Sequence, residues 1–438
     1  MTASDQQPAA SIKRQAPGVK RWAILLFIAA FALYAATAAP ATLFGDPSEY
    51  QFIPAIAGIA HPPGYAFYTL LAKLWQTLVP LGAIAFRTNM LAAAVGAWTV
   101  AAVYLITSDL STHGAGGRRQ EARFTVYVSL FAALCLAAAP DFWQHSIHAN
   151  AHIVSAALAA THLWLLIRWR RTDNDRWLAA FACALGLAAA HHPVTLVGVP
   201  AYGLFILVVR PRILRQWRTL LLLIGCLLLG LAPLLYYPLR SPSTPFGPTD
   251  MRTWEGFWGH ITARGLRGNL FHFGLADQLD RALVFWSLLR LQFPLPVILL
   301  IAAGMIWLAR RAPKPALLIY SFLTTHLLFT LNTVQDVMAY LLLPFGALSI
   351  AAGLGALALF DLGRRMRHSP FRATAAVTNR NWSLFIGHWS LVIGHCSLFI
   401  VHWSLLIVNC SLLTLPFYQA TLNLTRGISL RDFTAAEE

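Results

Sequence analysis

Acidic and histidine side chains lie close together in the segment GDPSEYQFIPAIAGIAHPPGYAFY, residues 45–68. A carboxylate such as Asp46 or Glu49 can act as a general base toward a hydroxyl or an amide. It can also hold a divalent metal if further oxygen ligands converge on it. The preceding apolar stretch, residues 22–40, is long enough to cross a bilayer. Ionisable groups at that depth are expensive and often functional, so the segment predicts chemistry at a membrane surface.

The composition is that of a polytopic membrane protein. Of 438 residues, 58% are hydrophobic and only 11% are charged, which is more apolar surface than a soluble domain can bury. The net charge of +16 could suggest a nucleic-acid partner. However, the cations occur between apolar segments rather than on one polar module, which is the positive-inside pattern. We therefore expect the lipid bilayer, and no nucleic acid, as a partner.

The basic clusters divide the chain into pairs of membrane spans. If every cluster is cytoplasmic, each interval between neighbouring clusters must hold an even number of spans. The expected divisions fall near residues 140–150, at His191-His192-Pro193, across the loop from Arg240 to about Asp280, and at residues 332–336. In the first interval this parity requires the stretch over residues 65–78 to lie at the outer interface. We therefore predict an all-α protein of about ten core transmembrane helices with an acid-bearing first external loop.

This topology collects acids and histidines on the external face, and each of them has a structural alternative. DPSE has the form of a capping box, so Asp46 and Glu49 could simply cap a helix. His61 could be a turn residue, and the histidine pair could cap a hairpin. Asp336 could be an N-cap, and Arg240 an interfacial anchor. His145, His148 and His152 have a spacing that could bind metal, but no neighbouring acid or cysteine completes a recognised set.

The same face carries residues suited to a phosphate and a sugar. Arg240 and Arg264 can offer bidentate forks to phosphate, and histidines can add a hydrogen bond or a proton. Aromatic residues such as Trp254 and Trp258 surround Arg264 in the same loop, and aromatic faces with polar rims are common where sugars dock. These residue types favour a site for a lipid-linked phosphate and a carbohydrate.

The expected organisation is one large membrane domain with short flanking segments. A heptapeptide repeat (WSLFIGH, WSLVIGH, CSLFIVH) brings His388, His395 and His402 to one helix face, which could suggest a metal or haem site. A tandem duplication explains the repeat equally simply, and we assign it no chemistry. The predicted parts are a cytoplasmic segment (1–21), a transmembrane domain (22–360) with external loops at 41–87 and 238–282, a basic linker (361–381), the repeat tail (382–418) and a polar end (419–438).

Several motifs together resemble the GT-C-fold membrane glycosyltransferases, in particular the protein O-mannosyltransferase-like family formerly known only as a domain of unknown function. The motifs occur in family order over residues 19–360. They are GDPSEY (45–50), GIAHPPGYAFY (58–68), RTN (87–89), GLAAAHHPVTLVGVP (186–200), YYPLRSPSTPFGP (236–248), HITARGLRG (260–268) and DVMAYLLLP (336–344). The resemblance implies a GT-C-like fold and a hexose, such as mannose, carried on polyprenyl phosphate.

The resemblance also implies an inverting transfer to a protein or glycan acceptor on the non-cytoplasmic face, in a bacterial inner membrane. The catalytic acid of the family's first external loop corresponds to Asp46, with Glu49 as second candidate. The family often has a further acid where this chain has Asn150, for which Asp141 or His152 could substitute. No cofactor is assigned, although a divalent metal is possible. A non-catalytic or transport protein for lipid-linked sugars is the alternative. The expected substrate-binding residues are His61, Tyr65, His191, His192, Arg240, Arg264 and Asp336.

Overall fold

The computed structural model describes residues 18–112, 119–247, 250–334, 337–367, 416–417 and 419–421. Within these residues the chain is helical and contains no β-strand, so the predicted all-α class is confirmed. Asp336 and nearly all of the heptapeptide repeat lie outside the described residues. The domain boundaries given above remain predictions.

Sixteen α-helices form the described part of the chain, joined by short 3-10 helices. They are α1 (Val19–Thr37), α2 (Asp46–Ile56), α3 (Ala66–Leu78), α4 (Ile84–Ser111), α5 (Arg119–Ala137), α6 (Pro140–Ser146), α7 (Ala151–Thr172), α8 (Asp175–Ala189), α9 (Val199–Val209), α10 (Trp217–Leu231), α11 (Tyr236–Arg240), α12 (Trp254–Ile261), α13 (Gln278–Gln292), α14 (Leu295–Arg311), α15 (Pro313–Leu331) and α16 (Val337–Arg367).

Six of the described helices are single apolar spans, and two bent pairs raise the number to eight. The bends are 71° between α5 and α6 and 110° between α13 and α14. The shorter helices α8 and α9, of 15 and 11 residues, flank the histidine pair. By length and composition the described helices give up to eight spans, and the ten expected from the sequence are reached when α8 and α9 are counted as well. The predicted division at His191-His192-Pro193 falls between α8 and α9, residues 332–334 follow the end of α15, and the division near residues 140–150 contains the short helix α6 and the turn before α7.

The helix ends follow local capping chemistry. The side chain of Asn150 accepts a hydrogen bond from the His152 N–H (2.7 Å) and so caps α7. Asn174 caps α8 in the same way, through the Arg176 N–H (3.0 Å). Asn is among the best N-cap residues because its side-chain oxygen satisfies a free N–H of the first turn. These caps fix where α7 and α8 begin, and α7 begins beside the site described below.

Glycines allow two long helices to touch. A Cβ atom on Gly304 of α14 would lie 1.8 Å from the Ala351 carbonyl oxygen of α16. A Cβ atom on Gly355 of α16 would lie 1.9 Å from the Leu300 carbonyl oxygen. Small residues at such contacts let helix backbones approach closely, which is a common way to pack helices in a membrane.

Charged residues meet at one end of the bundle, which we call the arginine end. Asp109, near the end of α4, is buried and paired with Arg168 and Arg171 at the end of α7. Arg210, just after α9, bridges Asp173 (2.6 Å) and Asp175 (2.7 Å). Since α7 has 22 residues and rises 1.5 Å per residue, its two ends are about 33 Å apart. The arginine end therefore lies far from the start of α7.

Candidate active site

The other end of the bundle, which we call the site end, contains a cavity of about 350 Å³. This lies within the range of small-molecule pockets, about 300–1,000 Å³. Its wall combines carboxylate, phenol and imidazole groups from the first loop, the α6–α7 turn and the starts of α7 and α16. The lining residues are Asp46, Pro47, Tyr50, His61, Pro62, Pro63, Tyr65, Gln144, His145, His148, Asn150, His152, His192, Leu266, Met338 and Tyr340.

Asp46 opens α2 and faces the cavity, but it does not cap the helix. The N-cap is Gly45, at φ 76°, and no side chain caps the helix. Ser48 Oγ instead donates to the Gly45 carbonyl oxygen (2.7 Å). The capping-box alternative is therefore wrong: Gly45 occupies the cap position in a backbone conformation that favours glycine. Asp46 is exposed, and among the described residues no group donates a hydrogen bond to its carboxylate.

Glu49 pairs with His61 rather than with the helix backbone. Its carboxylate accepts a hydrogen bond from the His61 N–H (2.7 Å) and a second, very short one involving His61 Nδ1. Partial burial of Glu49 opposes its ionisation, but the hydrogen bonds and charge of His61 outweigh this and lower its pKa. The hydrogen bond to Glu49 raises the pKa of His61 despite its own partial burial. Glu49 thus fixes the entry to the HPPGY turn and is charged together with His61 at mildly acidic pH.

Asp46, Glu49 and His61 also form a compact group of possible metal ligands. One ligand atom from each lies within 4.8 Å of the others. The sequence assigned no metal residue, and this is the convergence that a cation on Asp46 would require. In the structure, the Glu49–His61 hydrogen bond already joins two of the three groups.

The HPPGY turn places Tyr65 in the centre of the site. Gly64 has φ 93°, and a Cβ atom there would lie 2.2 Å from Tyr237 Oη and 2.4 Å from His260 Nε2. Only glycine fits this position, because both the backbone conformation and the space exclude a side chain. The buried Tyr65 ring stacks on His192 at a centroid distance of 5.3 Å and meets Tyr50 edge-on, also at 5.3 Å. The predicted site residue Tyr65 therefore links the first loop to the histidine pair.

The two histidines of HHP have different positions. His192 lines the cavity, and its Nδ1 accepts a hydrogen bond from the Val194 N–H (3.0 Å). It therefore caps the 3-10 helix over Pro193–Gly198 while its ring faces the site. His191 Nε2 donates to the Ala151 carbonyl oxygen (2.8 Å), and burial lowers the pKa of His191 to about 4. His191 thus supports the start of α7 from behind the cavity.

His145, His148 and His152 all line the cavity, although the sequence gave them no assigned role. The described residues place no metal-ligating group of three among them. Burial and the neighbouring His145 lower the pKa of His148 to about 3. Asn150 stands between His148 and His152 as the cap of α7.

Asp141, named as a possible substitute acid, is buried and accepts a hydrogen bond from Gln292 Nε2 (2.6 Å).

The two predicted phosphate-binding arginines do not line the cavity. Arg240 Nε donates to the Ala57 carbonyl oxygen (2.7 Å) and Nη2 to that of Ile56 (3.3 Å), at the end of α2. Arg264 forms an exposed ion pair with Glu255 (2.8 Å). In the structure both side chains bind groups of the loops around the site, and their role toward a phosphate stays a prediction.

Sequence reasoning found Tyr65 but missed Tyr50 and Tyr340, the other two tyrosines that line the cavity. Tyr340, near the start of α16, lies with its ring 5.3 Å from that of His152 and 5.8 Å from that of His192. Tyr50 meets Tyr65 and Tyr68 edge-on. Both residues belong to the motifs DVMAYLLLP and GDPSEY that carried the family resemblance, and their positions in these motifs could have identified them.

Residues 46–214 match a family profile described as the N-terminal domain of the protein O-mannosyl-transferase TMEM260. The chain is 29% identical over 280 residues to the mouse protein O-mannosyl-transferase TMEM260, covering 61% of this chain and 35% of the relative. It is 24% identical over 270 residues to the Dictyostelium discoideum protein O-mannosyl-transferase tmem260, covering 57% and 30%. The chain thus matches about a third of the length of these relatives.

Two solved structures share the fold. ArnT from Cupriavidus metallidurans, bound to undecaprenyl phosphate, matches with a TM-score of 0.58 at 16% identity, over 94% of this chain and 76% of that chain. The Archaeoglobus fulgidus oligosaccharyltransferase, tethered to an acceptor peptide, matches with a TM-score of 0.52 at 14% identity, over 94% and 56%. The chain is therefore an integral membrane protein with the GT-C fold, and the resemblance inferred from its motifs is confirmed.

Proposed function

We propose that the protein is a glycosyltransferase that moves a hexose, such as mannose, from a polyprenyl-phosphate carrier to a protein or glycan acceptor. The observation that carries this proposal is the exposed Asp46 carboxylate at a cavity lined by aromatic and imidazole side chains. The similarity to O-mannosyl-transferases supports mannose as the transferred sugar. The undecaprenyl phosphate bound in the ArnT structure supports a polyprenyl phosphate as the carrier of the sugar.

Asp46 is suited to the role of general base. It would accept the proton of the acceptor hydroxyl as that oxygen attacks the anomeric carbon of the sugar. The bond from the anomeric carbon to the carrier phosphate breaks in the same step, and the lipid phosphate leaves. Attack opposite the leaving group inverts the anomeric configuration. Glu49 holds His61 and the HPPGY turn, so its part in this reaction is positioning.

The orientation of the site follows from the distribution of charge. The arginine end carries Arg168, Arg170, Arg171 and Arg210, and basic residues mark the cytoplasmic side of a membrane protein. The cavity at the other end of α7 then faces away from the cytoplasm. We propose that this is the outer face of a bacterial inner membrane, where a lipid-linked sugar can meet its acceptor.

The test uses the full chain in lipid nanodiscs with a polyprenyl-phosphate mannose that carries a labelled sugar. Transfer to a peptide or glycan acceptor is measured for the wild type, for Asp46→Asn and for Asp250→Asn. A general base contributes about 10²–10⁴-fold, so Asp46→Asn should lose at least about 100-fold in rate. Asp250, an exposed acid paired with Arg252 (2.6 Å), is the matched control and should leave the rate unchanged.

Two other outcomes would contradict the proposal, and one of them would identify a transport protein. Full transfer by Asp46→Asn would remove Asp46 from the reaction. A wild type that never releases label from the lipid, but moves the labelled lipid between the two leaflets of proteoliposomes, would instead be a transport protein. The sequence left that alternative open, and leaflet-specific quenching of a fluorescent lipid-linked sugar distinguishes the two.

A further inference from the structure

The proposed reaction needs a partner for the carrier phosphate, and the described residues that line the cavity include no arginine or lysine. Among the described residues that line the cavity, the only side chains that can donate toward an anion are imidazole, phenol and amide groups. Arg240 and Arg264 are bound to loop groups outside the cavity. A phosphate in the cavity must therefore be bound by other donors.

Four histidines form one side of the cavity, which we call the histidine wall: His145, His148, His152 and His192. The rings of His145 and His148 lie 5.9 Å apart, and those of His152 and His192 lie 5.3 Å apart. All four residues are buried, with at most 8% of their surface exposed. They come from α6, the α6–α7 turn, the first turn of α7 and the loop after α8, so the fold gathers them from separate elements.

The hydrogen bonds of His192 fix which nitrogen can bind an anion. Its Nδ1 accepts from the Val194 N–H, so in the neutral ring the proton is on Nε2, which is then a donor. His148 and His152 each have a buried Nδ1 with no hydrogen-bond partner among the described residues. Buried polar atoms without partners are rare in native proteins. Both residues line the cavity, so a polar ligand there can reach these two atoms, whereas His162, whose ring nitrogens also have no partner among the described residues, does not line it.

The start of α7 adds a second attraction for an anion at the same place. The helix begins at Ala151, with Asn150 as its cap, and both Asn150 and His152 line the cavity. The first N–H groups of a helix are free of intrahelical bonds, and the helix dipole places partial positive charge there. Phosphate groups bind at such helix starts. The histidine wall surrounds this helix end, so the two features act on one ligand.

We infer that the phosphate of the lipid carrier binds between the histidine wall and the N-terminus of α7, on the same cavity as Asp46. This inference rests on the proposed function, because it assigns the leaving group of that reaction. The sugar then lies between the wall and the Asp46 carboxylate. His148, His152 and His192 donate hydrogen bonds to the phosphate oxygens as the bond to the sugar breaks, which stabilises the charge of the leaving phosphate, while His145 donates from Nδ1 to the Asp141 carbonyl oxygen and closes the wall.

The experiment measures binding rather than turnover. The full chain in nanodiscs is titrated with undecaprenyl phosphate and, separately, with undecaprenol, which has the same chain but no phosphate. Inorganic phosphate serves as a competitor that has no lipid chain. The variants are His148→Gln, His152→Gln and both together, and His192 is left unchanged because it caps the 3-10 helix. His162→Gln is the matched control, since His162 is a buried histidine further along α7 that packs against Phe181 and Tyr202.

We expect the wild type to prefer undecaprenyl phosphate to undecaprenol. The double variant should bind undecaprenyl phosphate at least about tenfold more weakly and undecaprenol as before, while His162→Gln keeps the preference. A double variant that retains the full preference would overturn the inference and leave the proposed function standing. A wild type that does not distinguish the two lipids would overturn both.

A second measurement uses only the wild type, so that it does not depend on the folding of any variant. Diethyl pyrocarbonate labels accessible imidazoles, and mass spectrometry locates the labelled residues. Undecaprenyl phosphate should reduce labelling of the histidine wall more than undecaprenol does, while the exposed His272, outside the cavity, is labelled equally. Equal labelling of the wall with both lipids would contradict the assignment.

Discussion

The two ends of the bundle differ in the partners that their buried polar side chains have. At the arginine end, the buried Asp109 carboxylate pairs with Arg168 and Arg171, although Arg168 Nε has no hydrogen-bond partner among the described residues. At the site end, His148 and His152 are as deeply buried, yet each has a ring nitrogen without a partner among the described residues. Paired charges stabilise a fold or fix its register. Unpaired donors and acceptors in a cavity are instead suited to a ligand.

The largest effect on stability is therefore expected at the arginine end. Asp109→Asn removes the carboxylate and leaves two arginines, with 13% and 6% of their side chains exposed, without their counter-charge. Breaking a buried pair costs about 3–5 kcal/mol, so the apparent melting temperature in detergent should fall sharply. Sugar transfer per folded molecule should remain, because Asp109 pairs with Arg168 and Arg171, which lie about 25–30 Å along α7 from its start.

Asp173→Asn is the control for this substitution at the same end. Asp173 pairs with Arg210, but 89% of its side chain is exposed, and exposed ion pairs contribute little. Equal losses of melting temperature for the two variants would mean that burial does not distinguish these pairs. A loss of transfer in folded Asp109→Asn would break the separation between the two ends.

The arrangement of the helices could be predicted from the sequence because it depends on local rules. Apolar length and basic clusters located the spans, and His191-His192-Pro193 marked a break that the structure places between α8 and α9. The partners of Arg240 could not be predicted, since its hydrogen bond to Ala57 joins residues 183 positions apart. The capping box was wrong because Glu49 bonds to His61, 12 residues away, and this bond replaces the local one.

The stability of the site end should depend on side-chain volume, whereas that of the arginine end should depend on paired charges. Gly64→Ala places a Cβ atom against Tyr237 and His260 at positive φ. Overpacking costs about 1–3 kcal/mol, and the left-handed conformation adds about 1–2 kcal/mol for a non-glycine residue. We expect a loss of about 3 kcal/mol in unfolding free energy, with transfer activity lost because the turn positions Tyr65.

Gly265→Ala is the matched control, because a Cβ atom there meets nothing within 4 Å. Thermal melts and transfer assays on both variants check the prediction. A Gly64→Ala protein with wild-type stability and activity would show that the HPPGY turn can relax, and that the position of Tyr65 is not critical.

Arg240 tests whether a cation at the site end behaves like those at the arginine end. Arg240→Gln loses the hydrogen bonds to the Ala57 and Ile56 carbonyl oxygens, each worth about 1 kcal/mol. We expect a modest fall in melting temperature and unchanged affinity for undecaprenyl phosphate. Arg252→Gln, at an exposed ion pair, is the control. A selective loss of phosphate affinity in Arg240→Gln would return Arg240 to the phosphate role that its sequence position suggested.

The Glu49–His61 pair should produce the smallest effect and the only one that depends on pH. The pKa of Glu49 is lowered, so its contribution to stability is present above its unfolded value, about 4.3, and is lost as pH falls through the folded value. The pKa of His61 is raised, so its contribution is complete below about 6.5 and is lost as pH rises through the folded value. The pair therefore stabilises the fold most between about pH 4.5 and 6.5.

The His61 side chain is 37% exposed, and solvent screening limits the pair to about 1 kcal/mol or less. Melting temperatures of the wild type and Glu49→Gln should differ most near pH 5.5 and less by about pH 9, where only the hydrogen bonds from His61 to the Glu49 carboxylate remain. The paired charges at the arginine end belong to aspartate and arginine, so the small loss in Asp173→Asn should stay constant over the same range. A constant difference for Glu49→Gln from pH 5 to 9 would show that Glu49 acts through its neutral hydrogen bond alone. In that case the two ends would differ in the burial of their polar groups but not in how those groups titrate.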